Sequence, residues 1–242
     1  MKIIAVIPAR YDSSRFPGKP LADINGNPMI WWVYQQAKKV TEFADVIVAT
    51  DHEKIMQTCE NLNMKAIMTS NKHPTGTDRA AEVTNKLNAD YCVIVQGDEP
   101  LIKSEDQLKI VQAIKSNIDA DAFQLIEPID NPIDAVNSTT IKAAINNEGY
   151  CLFLSRAAIP VPKAALDFSY YKSVGCFGIK QDVLNFFVNT KPGNLEQAEE
   201  IELLRLLENQ KKLYTVKSDF FSLAVDTPTD LERVKKLIKP QN

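Results

Sequence analysis

A cationic loop near the amino terminus holds the first residues whose types and spacing suggest chemistry. Arg10, Arg15 and Lys19 lie close together, and Ser13 stands between the first two. The loop follows an apolar, β-branched run over residues 3–7, which predicts a buried parallel strand, and the prolines after this run exclude regular structure. Cations alone are typical of a solvated surface loop. Cations and hydroxyl groups beyond the carboxyl end of a parallel strand are placed to hold phosphates, and we therefore predict a phosphate-binding loop.

This loop differs from the common phosphate-binding motifs. The chain contains neither the GxxxxGK[ST] pattern nor the GxGxxG pattern. Phosphate binding is therefore expected to depend on side-chain cations more than on backbone amides. The missing glycine fingerprint also makes an NAD-dependent enzyme a poor interpretation of the chain.

Two acidic residues follow apolar strands in the same way and predict a magnesium site. Asp98 comes after the run 91–95, with Gly97 allowing a close approach of the backbone, and Asp226 comes after the run 222–225. Magnesium is usually held by one or two carboxylates together with phosphate oxygens. The alternative interpretations are a turn residue at Asp98 and an ordinary helix cap at Asp226, which precedes Thr-Pro.

A third polar segment opens a helix at Thr75-Gly76. The free amides of a helix amino terminus favour anions or the polar edge of a base. The simpler alternative is that Thr77 caps the helix and Arg79 is solvated or ion-paired. Together with the loop and residues 96–99, this segment is expected to lie at one rim of the predicted sheet, beyond the carboxyl ends of its strands.

The elements that must position these residues alternate along the first half of the chain. We predict strands over 3–7, 45–50, 65–68 and 91–95. We predict one helix over 28–40, a second that begins after a cap at Asp51, and a third from Thr75 to about residue 88. Such alternation predicts an α/β fold with a doubly wound, mostly parallel sheet, whose ligands lie beyond the carboxyl ends of the strands.

The second half is less regular and predicts a smaller mixed β insertion. Strands are expected over 121–126, 139–146, 150–155, 173–179, 213–217 and 222–225, and helices over 181–190, 195–210 and 228–238. No long linker separates the halves. We therefore expect one domain over 1–242, with a nucleotide-binding half over 1–120 and a half over 121–242 for the second substrate and a subunit contact.

Composition narrows the class of protein further. The net charge is −3 and the pI is about 5.5, which gives no basic footprint for nucleic acid. Neither a leader segment nor a membrane-spanning run is apparent, so we expect a cytoplasmic protein with no membrane partner. The four scattered cysteines include no CxxC pair, so we expect those in apolar runs, at 92, 151 and 176, to be reduced core residues. Zinc is improbable with only two histidines.

The amino-terminal residues resemble the signature of the sugar-acid cytidylyltransferases, and within them the 3-deoxy-manno-octulosonate cytidylyltransferase (CMP-KDO synthetase) family. The resemblance rests on Pro8, Ala9, Arg10, Ser13, Arg15, Pro17 and Lys19, with residues 20–30 as a continuation. It implies a nucleotide-diphospho-sugar transferase-like fold and a homodimer. It also implies Mg²⁺-dependent transfer of CMP from CTP to the anomeric hydroxyl of the octulosonate (KDO), for lipopolysaccharide or capsule, with release of pyrophosphate.

The resemblance also implies a set of functional residues. Catalysis would involve Arg10, Arg15, Lys19 and Asp98, and the metal would be held by Asp98 and Asp226. The nucleotide would contact Pro8, Ala9, Arg10, Ser13, Arg15, Lys19, Thr75, Gly76, Arg79, Gln96 and Gly97. The sugar acid would contact Gln96, Arg156, Ser173, Glu196 and Gln197. The remaining acids of the predicted helix 195–210 fit an exposed face with ion pairs such as Glu202 with Arg205.

One departure from the family concerns the acceptor. Ser173 stands where these enzymes typically have a histidine, two residues before Gly175. The acceptor could therefore be another acid, such as 8-amino-KDO, another ulosonate or a phosphonate. A nucleotide-binding module without turnover is a further alternative. The intact cations and the two acids argue against it, because a binding module needs no pair of metal carboxylates.

Overall fold

The computed structural model describes residues 1–12, 16–116, 118–164 and 168–238. The strands are β1 (Ile3–Ala9), β2 (Asp23–Ile24), β3 (Asn27–Pro28), β4 (Asp45–Thr50), β5 (Ala66–Met68), β6 (Tyr91–Val95), β7 (Ala122–Pro128), β8 (Lys142–Ile145), β9 (Cys151–Ser155), β10 (Tyr171–Lys180) and β11 (Leu213–Lys217). The helices are α1 (Met29–Lys38), α2 (Glu53–Asn61), α3 (Gly76–Lys86), α4 (Ser104–Lys115), α5 (Pro132–Val136), α6 (Gln181–Asn189), α7 (Asn194–Glu199), α8 (Leu204–Glu208) and α9 (Pro228–Leu237), with a 3-10 turn at Lys19–Leu21.

The central sheet runs through both predicted halves of the chain. Its strand order is β11-β7-β10-β6-β1-β4-β5, and β10 is the antiparallel member of this path. The other neighbours along the path pair in parallel. The antiparallel pair β8–β9 extends from β10 and forms the predicted insertion. The prediction of a doubly wound, mostly parallel sheet is confirmed.

The core lies on both faces of this sheet. Alternate residues of β1 point to opposite faces, so Ile3 and Ile7 join one cluster and Ile4 and Val6 the other. Helices α1, α2 and α4 cover the first face, and α3, α6 and α8 cover the second. Burial of both faces explains why β1 is a continuous β-branched run and not an alternating one.

Two predicted elements of the second half are wrong. The helix expected over 195–210 is broken at Glu200, whose φ of 51° is left-handed, and it forms α7 and α8 instead. The strand expected over 222–225 does not form. Three other elements, α4, α5 and the hairpin of β2 and β3, were not predicted. The hairpin turns at Asn25-Gly26, where both φ angles are positive, as tight hairpin turns require.

The predicted cap of α2 is also wrong. His52, and not Asp51, is the residue before the helix, and its Nδ1 accepts a hydrogen bond from the amide of Lys54 at 3.2 Å. Asp51 instead pairs with Arg79, 2.7 Å away.

The cysteines lie in the core, as the apolar runs around Cys92, Cys151 and Cys176 predicted. All four cysteines are buried and free, and burial raises the pKa of Cys59 to about 11 and that of Cys92 and Cys151 to about 12. Within the described parts of the chain, no helix is long and apolar enough to cross a membrane.

Candidate active site

A cavity of about 720 Å³ opens at the carboxyl ends of β1 and β6, a volume typical of small-ligand sites. Arg10 follows β1, Thr75 and Gly76 begin α3, and Gln96 and Asp98 follow β6; all of them line the cavity. The prediction that these three segments meet at one rim of the sheet is therefore confirmed. The rest of the wall comes from the second half of the chain.

Lys19 joins the two predicted metal carboxylates. Its Nζ lies 2.6 Å from Oδ2 of Asp98 and 3.7 Å from Oδ1 of Asp226. The amide of Val225 donates to the carbonyl of Asp98 at 2.9 Å and brings the two segments together. Asp226 is not the cap of α9, because Thr227 and Asp230 form a capping box there. The turn after β6 and the segment before α9 thus converge on one ammonium group.

The pair of carboxylates fits the binding mode of magnesium. Among the described residues, no group of three or more His, Cys, Asp or Glu side chains could enclose a metal by itself. Mg²⁺ needs fewer protein ligands, since it keeps waters and takes phosphate oxygens in addition to one or two carboxylates. Asp98 and Asp226 both line the cavity, where such phosphates would lie.

Arg10 is fixed at the wall of the cavity. Its Nη2 donates to the carbonyl of His73 at 3.0 Å, in the turn before α3. Burial lowers the pKa of Arg10, and the positive charge of Arg79 lowers it further. Ser13 and Arg15, predicted to share the phosphates with Arg10, lie outside the described residues.

The start of α3 is rigid. Thr75 Oγ1 accepts from the amide of Asp78 at 3.2 Å, and Asp78 Oδ2 accepts from the amide of Thr75 at 3.1 Å, which completes a capping box. Thr75 is therefore the cap, and the alternative of a cap at Thr77 is wrong. Gly76 packs against the ring of Pro8, since a Cβ there would lie 3.4 Å from that side chain.

Arg79 is not brought into the cavity. It is fully buried, and its guanidinium donates to Asp51 Oδ2 and Thr69 Oγ1. This placement argues against a direct contact between Arg79 and a nucleotide. Arg79 instead ties the end of β4 to the segment after β5.

Gly97 has a clear structural role beside the site. A Cβ at this position would lie 2.9 Å from the carbonyl oxygen of Pro8. Glycine therefore lets the turn after β6 lie against the end of β1. Pro8 and Ala9 are themselves buried in β1 and support the rim from below.

We expect Gly97→Ala to lower the free energy of unfolding by about 1–3 kcal/mol, as overpacking does, because backbone and not a flexible side chain meets the new methyl group. Chemical denaturation measures this change. Gly76→Ala is the matched control, since its nearest contacts are side-chain atoms of Pro8 at 3.4 Å. A Gly97→Ala protein as stable as the wild type would contradict the close approach.

Arg156 and Ser173 line the same cavity and come from the second half of the chain. Arg156 Nε donates to the carbonyl of Glu199 at 2.6 Å, and Nη1 donates to the carbonyl of Ser138 at 3.1 Å. The amide of Ser173 donates to the carbonyl of Ile141 at 2.8 Å. Gln96, predicted to contact both the nucleotide and the sugar acid, also lines the cavity.

Glu196 and Gln197 are not brought to the cavity. Glu196 is buried and receives both Arg205 Nε, at 2.7 Å, and Arg205 Nη2, at 2.5 Å. Gln197 is exposed and donates to the carbonyl of Pro192 at 2.9 Å. This geometry argues against direct contacts with a sugar acid and assigns Glu196 to an internal ion pair.

Two other acids of this region, Glu200 and Glu202, do line the cavity, although the sequence placed both on an exposed face. The predicted ion pair of Glu202 with Arg205 is wrong, because Arg205 pairs with Glu196. Burial raises the pKa of Glu202, and the nearby hydroxyls of Thr75 and Thr77 partly oppose this rise. No local signal predicted the break that turns Glu202 inward, since Glu200 is neither Gly nor Asn.

Glu99 is a second buried acid that the sequence did not indicate. It lines the cavity with 6% of its surface exposed, and it accepts hydrogen bonds from the amide of Gly175 at 2.9 Å and from Ser222 Oγ at 2.5 Å. Burial raises its pKa to about 7, although the bond from Ser222 opposes the rise.

The fold and the site are those expected of a nucleotidyltransferase, and comparison with known proteins establishes this class. The model of the family described as Cytidylyltransferase matches residues 4–213. The 3-deoxy-manno-octulosonate cytidylyltransferase of Thermodesulfovibrio yellowstonii is 38% identical, covering 98% of each chain. The Escherichia coli protein of the same name is 39% identical, over 98% of this chain and 96% of its own. The chain belongs to the 3-deoxy-manno-octulosonate cytidylyltransferase family.

Solved structures agree at two levels. A structure described as CMP:2-keto-3-deoxy-manno-octonic acid synthetase complexed with CTP superposes with a TM-score of 0.93 at 39% identity and covers 98% of both chains. A putative glucose-1-phosphate thymidylyltransferase from Bacillus anthracis superposes with a TM-score of 0.73 at 17% identity, over 99% of this chain and 96% of its own. The second likeness shows the fold alone.

Proposed function

We propose that this protein transfers CMP from CTP to the anomeric hydroxyl of 3-deoxy-manno-octulosonate and releases pyrophosphate. The observation that carries the proposal is the arrangement of one cavity. Asp98 and Asp226, which Lys19 contacts, line the same cavity as Arg156 and Ser173. A triphosphate and a sugar acid can therefore meet within one cavity.

We assign the part of the cavity near Lys19 and the start of α3 to CTP. Arg10 and Lys19 bind the triphosphate as fixed cations, and we expect Ser13 and Arg15 to complete this loop. Thr75, Gly76 and Gln96 line the wall that faces the nucleoside. The capping box at Thr75 holds the start of α3 in place, so the wall is formed before the nucleotide arrives.

We assign the part of the cavity lined by Arg156 and Ser173 to the sugar acid. Arg156 supplies a guanidinium for its carboxylate, and Ser173, Gln96 and Glu202 supply groups for its hydroxyls. Because Arg156 is held by the carbonyls of Glu199 and Ser138, its position is set by the fold.

At the α-phosphorus the reaction forms one bond and breaks one, and the anomeric hydroxyl gives up its proton to water. The anomeric oxygen attacks the α-phosphorus in line, the bond from that phosphorus to the bridging oxygen breaks, and pyrophosphate leaves with the electron pair. Lys19 stabilises the charge that develops on the transferring group. Asp98 and Asp226 would hold Mg²⁺, which when bound neutralises phosphate charge and polarises the phosphoryl group. The protein's main contribution is to position the two substrates.

The experiment that tests this proposal measures pyrophosphate release from CTP and Mg²⁺ with the octulosonate, its 8-amino analogue, N-acetylneuraminate or no acceptor. Release with the octulosonate alone would support the proposal. Measurable CTP binding without release for any acid would instead support a nucleotide-binding module.

We expect turnover to require a divalent cation. Chelation with EDTA should abolish pyrophosphate release, because Asp98 and Asp226 then repel the triphosphate, and excess Mg²⁺ should restore it. Thermal unfolding with and without EDTA is the control, since no described side-chain cluster outside this site could hold a metal. Full turnover in EDTA would contradict the metal assignment.

A different acid is the second candidate for the acceptor. Ser173 lines the cavity, and it stands where the resemblance to the family implies a histidine. Serine is shorter than histidine and has no imidazole to bind a substrate group. Release only with 8-amino-KDO, another ulosonate or a phosphonate would keep the mechanism and move the specificity to this wall.

We also propose that the enzyme is a homodimer of the cytoplasm that serves lipopolysaccharide or capsule synthesis. The exposed side chain of Leu152 on β9, 62% accessible, supports a subunit contact at this edge. Sedimentation at several protein concentrations tests the dimer.

A further inference from the structure

The segment between β11 and α9 is held in place by side chains from other parts of the chain. Residues 218–226 form neither helix nor strand, yet Phe221, Ser222, Leu223 and Asp226 line the cavity. The sequence predicted a strand here, whose polar backbone groups would have paired with a neighbouring strand. At Ser222, charged side chains bind these groups instead.

Ser222 is the centre of this arrangement. Its amide donates to Glu127 Oε2 at 2.9 Å, its hydroxyl donates to Glu99 Oε2 at 2.5 Å, and its carbonyl accepts from Lys172 Nζ at 2.6 Å. Ser222 is 4% exposed. Each polar group of this one residue is therefore bound by a charged side chain from a different part of the sheet.

These partners connect the turn after β6 with strand β10. Glu99 directly follows Asp98, and its other oxygen accepts from the amide of Gly175 in β10 at 2.9 Å. Lys172 directly precedes Ser173 on the same strand. The segment of Ser222 continues to Val225, whose amide reaches the carbonyl of Asp98, and then to Asp226.

We propose that Ser222 is a positioning residue that fixes Asp98 and Asp226 relative to the acceptor wall on β10. This inference rests on the proposed function. Loss of the hydroxyl leaves the buried carboxylate of Glu99 without one of its partners, and both the turn of Asp98 and the segment of Asp226 lose a shared anchor. Groups that hold metal ligands in place typically change metal affinity or activity by about 10- to 100-fold when they are removed.

The test compares Ser222→Ala with Ser218→Ala. Ser218 lies in the same segment and also donates its hydroxyl to a buried carboxylate, Oδ2 of Asp106, at 2.7 Å, but it does not line the cavity. Both variants lose the same kind of hydrogen bond. A purely structural role predicts similar losses of thermal stability and similar activities for the two proteins.

Two quantities are measured. The first is the Mg²⁺ concentration needed for half-maximal CTP binding, which is monitored by the fluorescence of the two tryptophans. The second is kcat for pyrophosphate release. Both tryptophans are on α1, and Trp32 shares an apolar cluster with Val225. For Ser222→Ala we expect the Mg²⁺ requirement to rise and kcat to fall, each by about tenfold or more. For Ser218→Ala we expect both to stay near the wild-type values.

The inference is overturned if folded Ser222→Ala keeps the wild-type Mg²⁺ requirement, or if Ser218→Ala changes it equally. Glu99→Gln provides a second variant if Ser222→Ala does not fold, and its binding curve is judged in the same way. The proposed function fails separately, on the wild-type protein alone, if no acid is turned over. CTP and Mg²⁺ titrations of the variants need no acceptor and still decide the role of Ser222.

Discussion

Asp98→Asn is expected to reduce kcat by about a thousandfold, which corresponds to about 4 kcal/mol, while the fold stays intact. The substitution preserves the shape of the side chain and removes the charge that faces Lys19 at 2.6 Å and that would hold the metal. We expect a loss of similar size for Lys19→Ala. Steady-state pyrophosphate release measures kcat, and circular dichroism with thermal unfolding reports the fold.

The matched control for Asp98→Asn is Asp45→Asn. Asp45 also pairs with a lysine, Lys65, at 2.7 Å, but this pair lies outside the cavity. Its loss should leave kcat nearly unchanged. Near-normal turnover in a well-folded Asp98→Asn protein would remove Asp98 from the metal site.

Arg205→Met is expected to lower the free energy of unfolding by about 3–5 kcal/mol, because it leaves the carboxylate of Glu196 buried and unpaired. The side chains of Arg205 and Glu196 are only 3% and 8% exposed and are joined by two hydrogen bonds. The guanidinium also stacks on Phe187, 3.8 Å from the ring centre. Denaturation by urea measures the loss.

Two further variants interpret this result. Lys65→Met removes a more exposed ion pair and should leave the free energy of unfolding nearly unchanged. Glu196→Gln should weaken the fold while keeping the KM for the acceptor. A folded Glu196→Gln protein with wild-type stability and a much higher acceptor KM would restore the sequence-based prediction that Glu196 contacts the sugar.

The sheet was predictable where apolar runs end abruptly. The predicted strands 45–50, 91–95 and 213–217 have the bounds that the structure gives to β4, β6 and β11. Residues 222–225 also form an apolar stretch, but no neighbouring strand pairs with them. The polar groups of Ser222 form hydrogen bonds with Glu99, Glu127 and Lys172 instead. Because these partners are far from Ser222 along the chain, no local sequence pattern indicates the contacts.

The site was predictable to the extent that it follows the ends of strands. Asp98 and Asp226 were expected together because each follows an apolar run, and Lys19 now lies beside both. For the acids of the second half, this rule could not tell which side chains face the cavity. Whether Glu196 or Glu202 faces the cavity depends on the left-handed residue Glu200, and a regular helical pattern conceals that reversal.

The contact of Lys19 with both carboxylates affects the order in which ligands can enter. Without nucleotide, the ammonium serves as the counter-ion of Asp98 and Asp226. A divalent cation that arrives alone has to compete with this lysine for the same oxygens. A cation that arrives with a triphosphate brings new anionic partners for Lys19, which then releases the acids. Metal and nucleotide are thus expected to enter together as one complex. As this complex binds, the ammonium group of Lys19 exchanges its contacts with the two acids for contacts with the phosphates.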